Sequence, residues 1–136
     1  MSGWDIQQAI YIKLTGATSV TSLVPAGSIV DFGPRENDAS AIYPYVSFGG
    51  LILSENDTDS TTGFDMAIRI HTYSDQGGSR QCRQIQDAIY GVLHLAELTV
   101  SGYNPIITYR EDTQIMQTSR GAFHGVCEYR SLLEKT

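Results

Sequence analysis

Two rhythms of hydrophobic positions run through the chain. In the first stretch Ile6, Ala9, Ile10 and Leu14 recur at helical spacing, so they share one face of a predicted helix. Ser2 is placed to cap that helix with Asp5 three residues on, and Gly16 to end it. A second helical pattern follows Ser79, the expected cap, with Cys82, Ile85, Ile89, Val92 and Leu93 on one side. The other rhythm has a period of two. Phe64, Met66, Ile68 and Ile70 alternate with Asp65, Ala67, Arg69 and His71, which predicts a strand with one buried face. Phe123, Cys127, Tyr129 and Leu133 alternate in the same way with His124, Glu128 and Arg130.

The remaining extended segments carry weaker patterns. Pro44 pushes Tyr43 toward an extended backbone, and residues 45–48 continue as a strand. Gly49-Gly50 predicts a bulge before residues 51–53 resume it. Residues 106–116 read as extended, and residues 29–31 and 98–100 as short strands. Residues 18–27 predict a loop anchored by Leu23 and Val24, and residues 33–38 a breaker-rich surface loop. The polar run 54–62 predicts a long hairpin loop, and residues 74–79, 102–105 and 119–121 predict turns. Together these elements predict an α+β fold: a single mostly antiparallel β-sheet with two α-helices packed against it, one domain over residues 1–136.

Composition narrows the class. A chain of 136 residues folds with roughly 7,000 Å² exposed, enough interior for a core without a disulfide or metal staple. Nine basic against fifteen acidic residues leave a net charge of −6, a field that opposes specific nucleic-acid binding. No run approaches the roughly 18–20 apolar residues of a membrane span. Met1-Ser2-Gly3-Trp4-Asp5 lacks the basic region and apolar core of a secretory signal, so Cys82 and Cys127 are expected to be buried free thiols in a reducing cytoplasm.

Candidate chemistry is sparse. His71, His94 and His124 have no second ligand at zinc spacing, so no metal is expected, and His94 suits the negative end of its helix as an imidazolium. Counting from Asp57, a calcium loop needs glycine where Thr62 stands and glutamate where Ile68 stands, so that motif fails. Gly77-Gly78-Ser79 before a helix can hold an anion, although a turn plus cap explains it fully. Glu111, Asp112 and Glu128 can approach His124 across neighbouring strands, yet no nucleophile motif accompanies them. No catalytic residue and no cofactor are therefore expected. Tyr43, Tyr45, Tyr73, Tyr103, Tyr109 and Tyr129 cluster in or beside strands, which suits either strand propensity or a protein interface.

The order of short motifs resembles a known family. Ala9-Ile10-Tyr11-Ile12-Lys13-Leu14, Ile29-Val30-Asp31, Tyr43-Pro44-Tyr45-Val46 and Ile68-Arg69-Ile70-His71-Thr72-Tyr73-Ser74 follow one another. The helix from Arg80 to Leu93, Leu98 before a turn, and Gly125-Val126 complete the series. This order is similar to the tail-completion, or tail terminator, proteins of long-tailed bacteriophages and gene transfer agents. Tyr73 stands where many members carry tryptophan.

The resemblance implies a structural virion protein, made in a bacterial cytoplasm, that caps the end of a tail tube as a homo-oligomeric ring of six copies. Its implied partners are the major tail tube protein and the head-tail connector protein, with no membrane, and DNA passing through the lumen without specific binding. The residues expected at subunit or tube interfaces are Glu55, Asp57 and Asp59 in the hairpin loop, and Glu111, Asp112 and Arg120 in the later segment. Two other readings stay open: a head-tail connector adaptor, and a small anion- or ligand-binding α+β domain with its site beside Gly77-Gly78-Ser79.

Overall fold

The computed structural model describes residues 3–31, 43–55, 57, 60, 62–75, 79–117 and 122–136. Three α-helices, one 3-10 turn (Ala26–Ser28) and five strands are described: α1 (Gly3–Thr15), α2 (Thr18–Thr21), β1 (Ile29–Val30), β2 (Tyr45–Glu55), β3 (Gly63–Ser74), α3 (Arg80–Leu93), β4 (Tyr103–Gln117) and β5 (Phe123–Lys135). The strands form one sheet in the order β1-β2-β3-β5-β4. β1 runs parallel to β2 and every other pairing is antiparallel, as the alternating strand patterns predict.

One face of this sheet is covered. Ile6, Ile10 and Leu14 of α1 and Ile85, Ile89 and Leu93 of α3 are buried against Val46, Met66, Ile68, Ile70, Cys127 and Tyr129. Each fully buried aliphatic side chain contributes about 1.5–3 kcal/mol relative to exposure, so this layer is the main source of stability. The accessible surface of 7326 Å² is what a folded chain of this length leaves exposed.

Glycine sets how closely α3 lies on the sheet. A Cβ at Gly125 of β5 would sit 2.3 Å from Gln86 Nε2 and 2.8 Å from Cys82 Sγ, so only a bare backbone fits under that turn of the helix. Gln86 is itself buried, and its Nε2 donates to the Gln114 carbonyl of β4 at 3.2 Å. The helical pattern of α3 omitted this polar residue, and its place in the buried face is explained by that bond. Val92, predicted on the same face, is only half-buried.

Several local expectations are corrected. Residues 18–27 are not plain loop. Val20 and Val24 are both buried, joined by a Val24 N–H to Val20 carbonyl bond of 2.9 Å, so a helical turn was hidden among small polar residues. Ser79 precedes α3 without capping it through its hydroxyl, which instead accepts from Arg83 Nε at 3.4 Å. Leu98 is buried as a core plug and forms no strand, and Val100 makes only an isolated bridge to Tyr103 around Gly102, whose φ is +82°. β4 begins at Tyr103, so Pro105 lies inside a strand. It is tolerated because β4 is an edge strand and its register slips between Pro105 and Ile107. The predicted bulge at Gly49-Gly50 is present as a register shift between Phe48 and Leu51. Ser2, residues 33–38 and Gly77-Gly78 lie outside the described residues. No helix of the described residues is long and apolar enough to cross a membrane.

Candidate assembly surfaces

The face of the sheet away from the helices carries a run of polar and aromatic side chains. His71 of β3 and His124 of β5 lie diagonally across the ladder, because Tyr73 is the direct partner of His124. His71 Nδ1 and His124 Nε2 are 2.7 Å apart, sharing one hydrogen bond. The Tyr73 ring stacks on His124 at 4.3 Å between centroids, and Tyr45 stacks on Tyr73 at 4.5 Å. A Cβ at Gly49 would lie 2.1 Å from His71 Nε2, so the bulge glycine makes room for the imidazole. Burial, then the neighbouring His124, then Arg69 push the His71 pKa below the ordinary value of 6.5. The expected approach of Glu111, Asp112 and Glu128 to His124 does not occur. Asp112 pairs with Glu128, while Met116 is the β4 residue opposite His124.

His94 is held at the end of α3: its Nδ1 accepts the Arg110 backbone N–H at 3.1 Å. It thereby ties the end of α3 to the edge strand. The next residue, Leu95, donates its N–H to the Thr108 carbonyl at 2.6 Å and has φ 61°. Ala96 N–H closes a turn on the Leu93 carbonyl at 3.1 Å, so Leu95 occupies the left-handed turn position that glycine normally takes. That leucine is 64% exposed.

The acidic residues expected at interfaces fall in separate places. Glu55 is exposed at the end of β2, and the exposed Asp57 accepts the Gly63 N–H on Oδ1 at 3.2 Å, which braces the hairpin. Glu111 and Asp112 sit on β4, three strands away from β2. Glu111 is held within the subunit: Arg130 reaches its carboxylate at 3.5 Å and Asp65 at 3.2 Å, both close to solvent. Asp59 and Arg120 lie outside the described residues. Among the described residues no cluster of three or more potential metal ligands exists.

Sequence patterns missed the surface clefts, two of which lie at opposite sides of the sheet and a third, of about 230 Å³, between α1 and residues 99–101. Beside β1, a cleft of about 370 Å³ is lined by Trp4, Tyr11, Ile29, Val30, Asp31 and Phe48. Its polar contact is a hydrogen bond from Gln7 Nε2 to Asp31 Oδ1. Between α3 and β4, a more polar cleft of about 170 Å³ is lined by Arg83, Gln86, Asp87, Arg110, Thr113 and Ile115. The Arg110 guanidinium lies 4.2 Å from the centroid of the Tyr90 ring. A tryptophan off the apolar stripe of α1 was the one signal in the sequence for the first cleft. Nothing local in the sequence joins Arg83 to Arg110.

The comparisons with known proteins agree on the architecture. A chain from a structure described as the virion of a native gene transfer agent particle superposes with a TM-score of 0.80 at 18% identity, covering 95% of this chain and 94% of that one. No curated protein sequence matches the chain. The family model described as tail completion protein gp17 matches residues 8–134, from the middle of α1 to the penultimate residue of β5. The chain belongs to the tail completion protein gp17 family.

Proposed function

We propose that this protein closes as a six-membered ring on the last ring of a finished tail tube, stops polymerisation there and presents a docking face to the head connector. Its family makes it a structural protein of a phage tail. The observation that supports this reading most is the pair of unlike lateral sides. β1 is only two residues long and pairs with Val46 and Ser47 alone, so the later half of β2 has no described strand on its β1 side, and β4 is the opposite edge. A subunit with two different sides that can associate makes heterologous head-to-tail contacts, and such contacts close into rings when the rotation allows. The net charge of −6 keeps isolated subunits apart until a tube end is present.

The test is growth of tail tube from purified tube protein with and without this protein, followed by electron microscopy. Capping predicts tubes that stop lengthening and carry a ring of density at one end. Tubes that grow unchanged and end bare would refute it. Deleting residues 57–60 is expected to impair ring assembly with an unchanged circular dichroism spectrum, and normal assembly would remove the hairpin loop from the mechanism.

A further inference from the structure

The exposed large hydrophobic side chains are not scattered. Among the described residues they are Trp4, Tyr11 and Ile12 on α1, Ile52 on β2, Tyr90 on α3, Leu95 just after it, and Ile106 and Met116 on β4. None is on β3 or β5, the inner strands of the sheet. Trp4 and Tyr11 border the β1 cleft and Ile106 and Met116 lie on the edge strand β4, so these mark the two lateral sides, whereas Ile12 lies beside residues 99–101. Gly3 lies against Leu51 of β2, which places Trp4 on the β1–β2 side.

The two sides differ in chemistry as well as in position. Trp4 is the chain's single tryptophan and is 57% exposed at the mouth of the apolar cleft, with Tyr11 and the Asp31 carboxylate beside it. Across the molecule, Arg83 and Arg110 line the polar cleft, and neither has a carboxylate within ion-pair distance among the described residues. Asp87 lines the same cleft beyond that distance. Guanidinium groups take both carboxylates and aromatic faces as partners. One side thus offers aromatic rings and a carboxylate, and the other offers two guanidinium groups beside exposed apolar residues.

We infer that the partner of each side is a second copy of this chain: the Trp4–Tyr11–Asp31 side of one subunit seats on the α3–β4 cleft of the next, against Arg83, Arg110 and Ile115. This contact rests on the ring reading and specifies which surfaces close it. Trp4 is its anchor, because a tryptophan entering a cleft with arginines is the type of residue that carries most of an interface's energy. The same residues leave the fold undisturbed when changed, since Trp4 and Arg83 are exposed on helix surfaces.

The single tryptophan makes the contact directly readable. Rings assembled on tube ends are compared with free subunits by Trp emission, using tube protein whose own tryptophans are replaced, and by iodide quenching. The expected result is a blue-shifted emission and a severalfold loss of quenching on assembly. Trp4→Ala and Arg83→Glu are each expected to raise the concentration needed for rings by roughly tenfold or more, with unchanged thermal melting. A Gln8→Cys, Gln114→Cys double variant should then give covalent oligomers up to the closed ring, because native Cys82 and Cys127 are buried. Rings that form with Trp4 still fully quenched, or without cross-linking, would overturn this contact and leave the ring reading intact. Tube ends that never acquire a ring would overturn both.

Discussion

Burial decides the chemistry of the few reactive side chains. Cys82 is pushed up to about 11, first by desolvation and then by its neighbour Cys127, and Cys127 is raised by burial as well. Both thiols are expected to react with a thiol reagent at neutral pH only on unfolding; labelling of the folded protein at the unfolded rate would contradict this. His71 sets a pH dependence. Its environment favours the neutral ring, so below about 6.5 the unfolded chain binds a proton that the folded protein resists. Stability should therefore fall as pH drops from about 6.5 toward the depressed folded value, by at most about 1.4 kcal/mol per pH unit from this group. His71→Gln should shrink the loss of urea midpoint between pH 7.5 and 5.5, and an equal loss in both proteins would show that this histidine is not responsible. Sequence pattern placed His71 and His124 on polar strand faces but did not bring them together. Their contact follows from the β3–β5 register, which no local spacing specifies.

Among the elements, those with a strong period were legible and those held by tertiary contacts were not. α1, α3, β3 and β5 follow from hydrophobic spacing, and the β2 bulge from its paired glycines. By contrast, Leu98 and Pro105 were misread because core plugging and an edge-strand bulge both override local propensity. Two substitutions test how elements meet. Gly125→Ala should cost about 1–3 kcal/mol, since Gln86 and Cys82 of α3 must move to admit a methyl group. An unchanged denaturant midpoint would show that α3 does not rest on that backbone. Leu95→Gly should stabilise the isolated subunit by about 1 kcal/mol by relieving a left-handed leucine. A lowered midpoint would mean that Leu95 contributes packing that its exposure does not suggest.

For the whole molecule, the one-sided core leaves a polar, aromatic outer face and two chemically unlike sides, the arrangement that supports closed head-to-tail assembly. The acidic residues singled out in the sequence mark only part of those sides. Glu55 and Asp57 lie at the far end of β2, whereas Glu111 is paired within the subunit with Arg130. The clefts beside Trp4 and between Arg83 and Arg110 join residues far apart in the chain, so only the fold brings them to view. Tail length is the quantity that the proposed capping role controls most directly. Electron microscopy of lysate from the parent phage or prophage with this gene deleted should show headless tails far longer than normal. Headless tails of normal length beside filled heads would contradict capping and place the protein at head-tail joining, and fully normal virions would contradict any role in completing the tail.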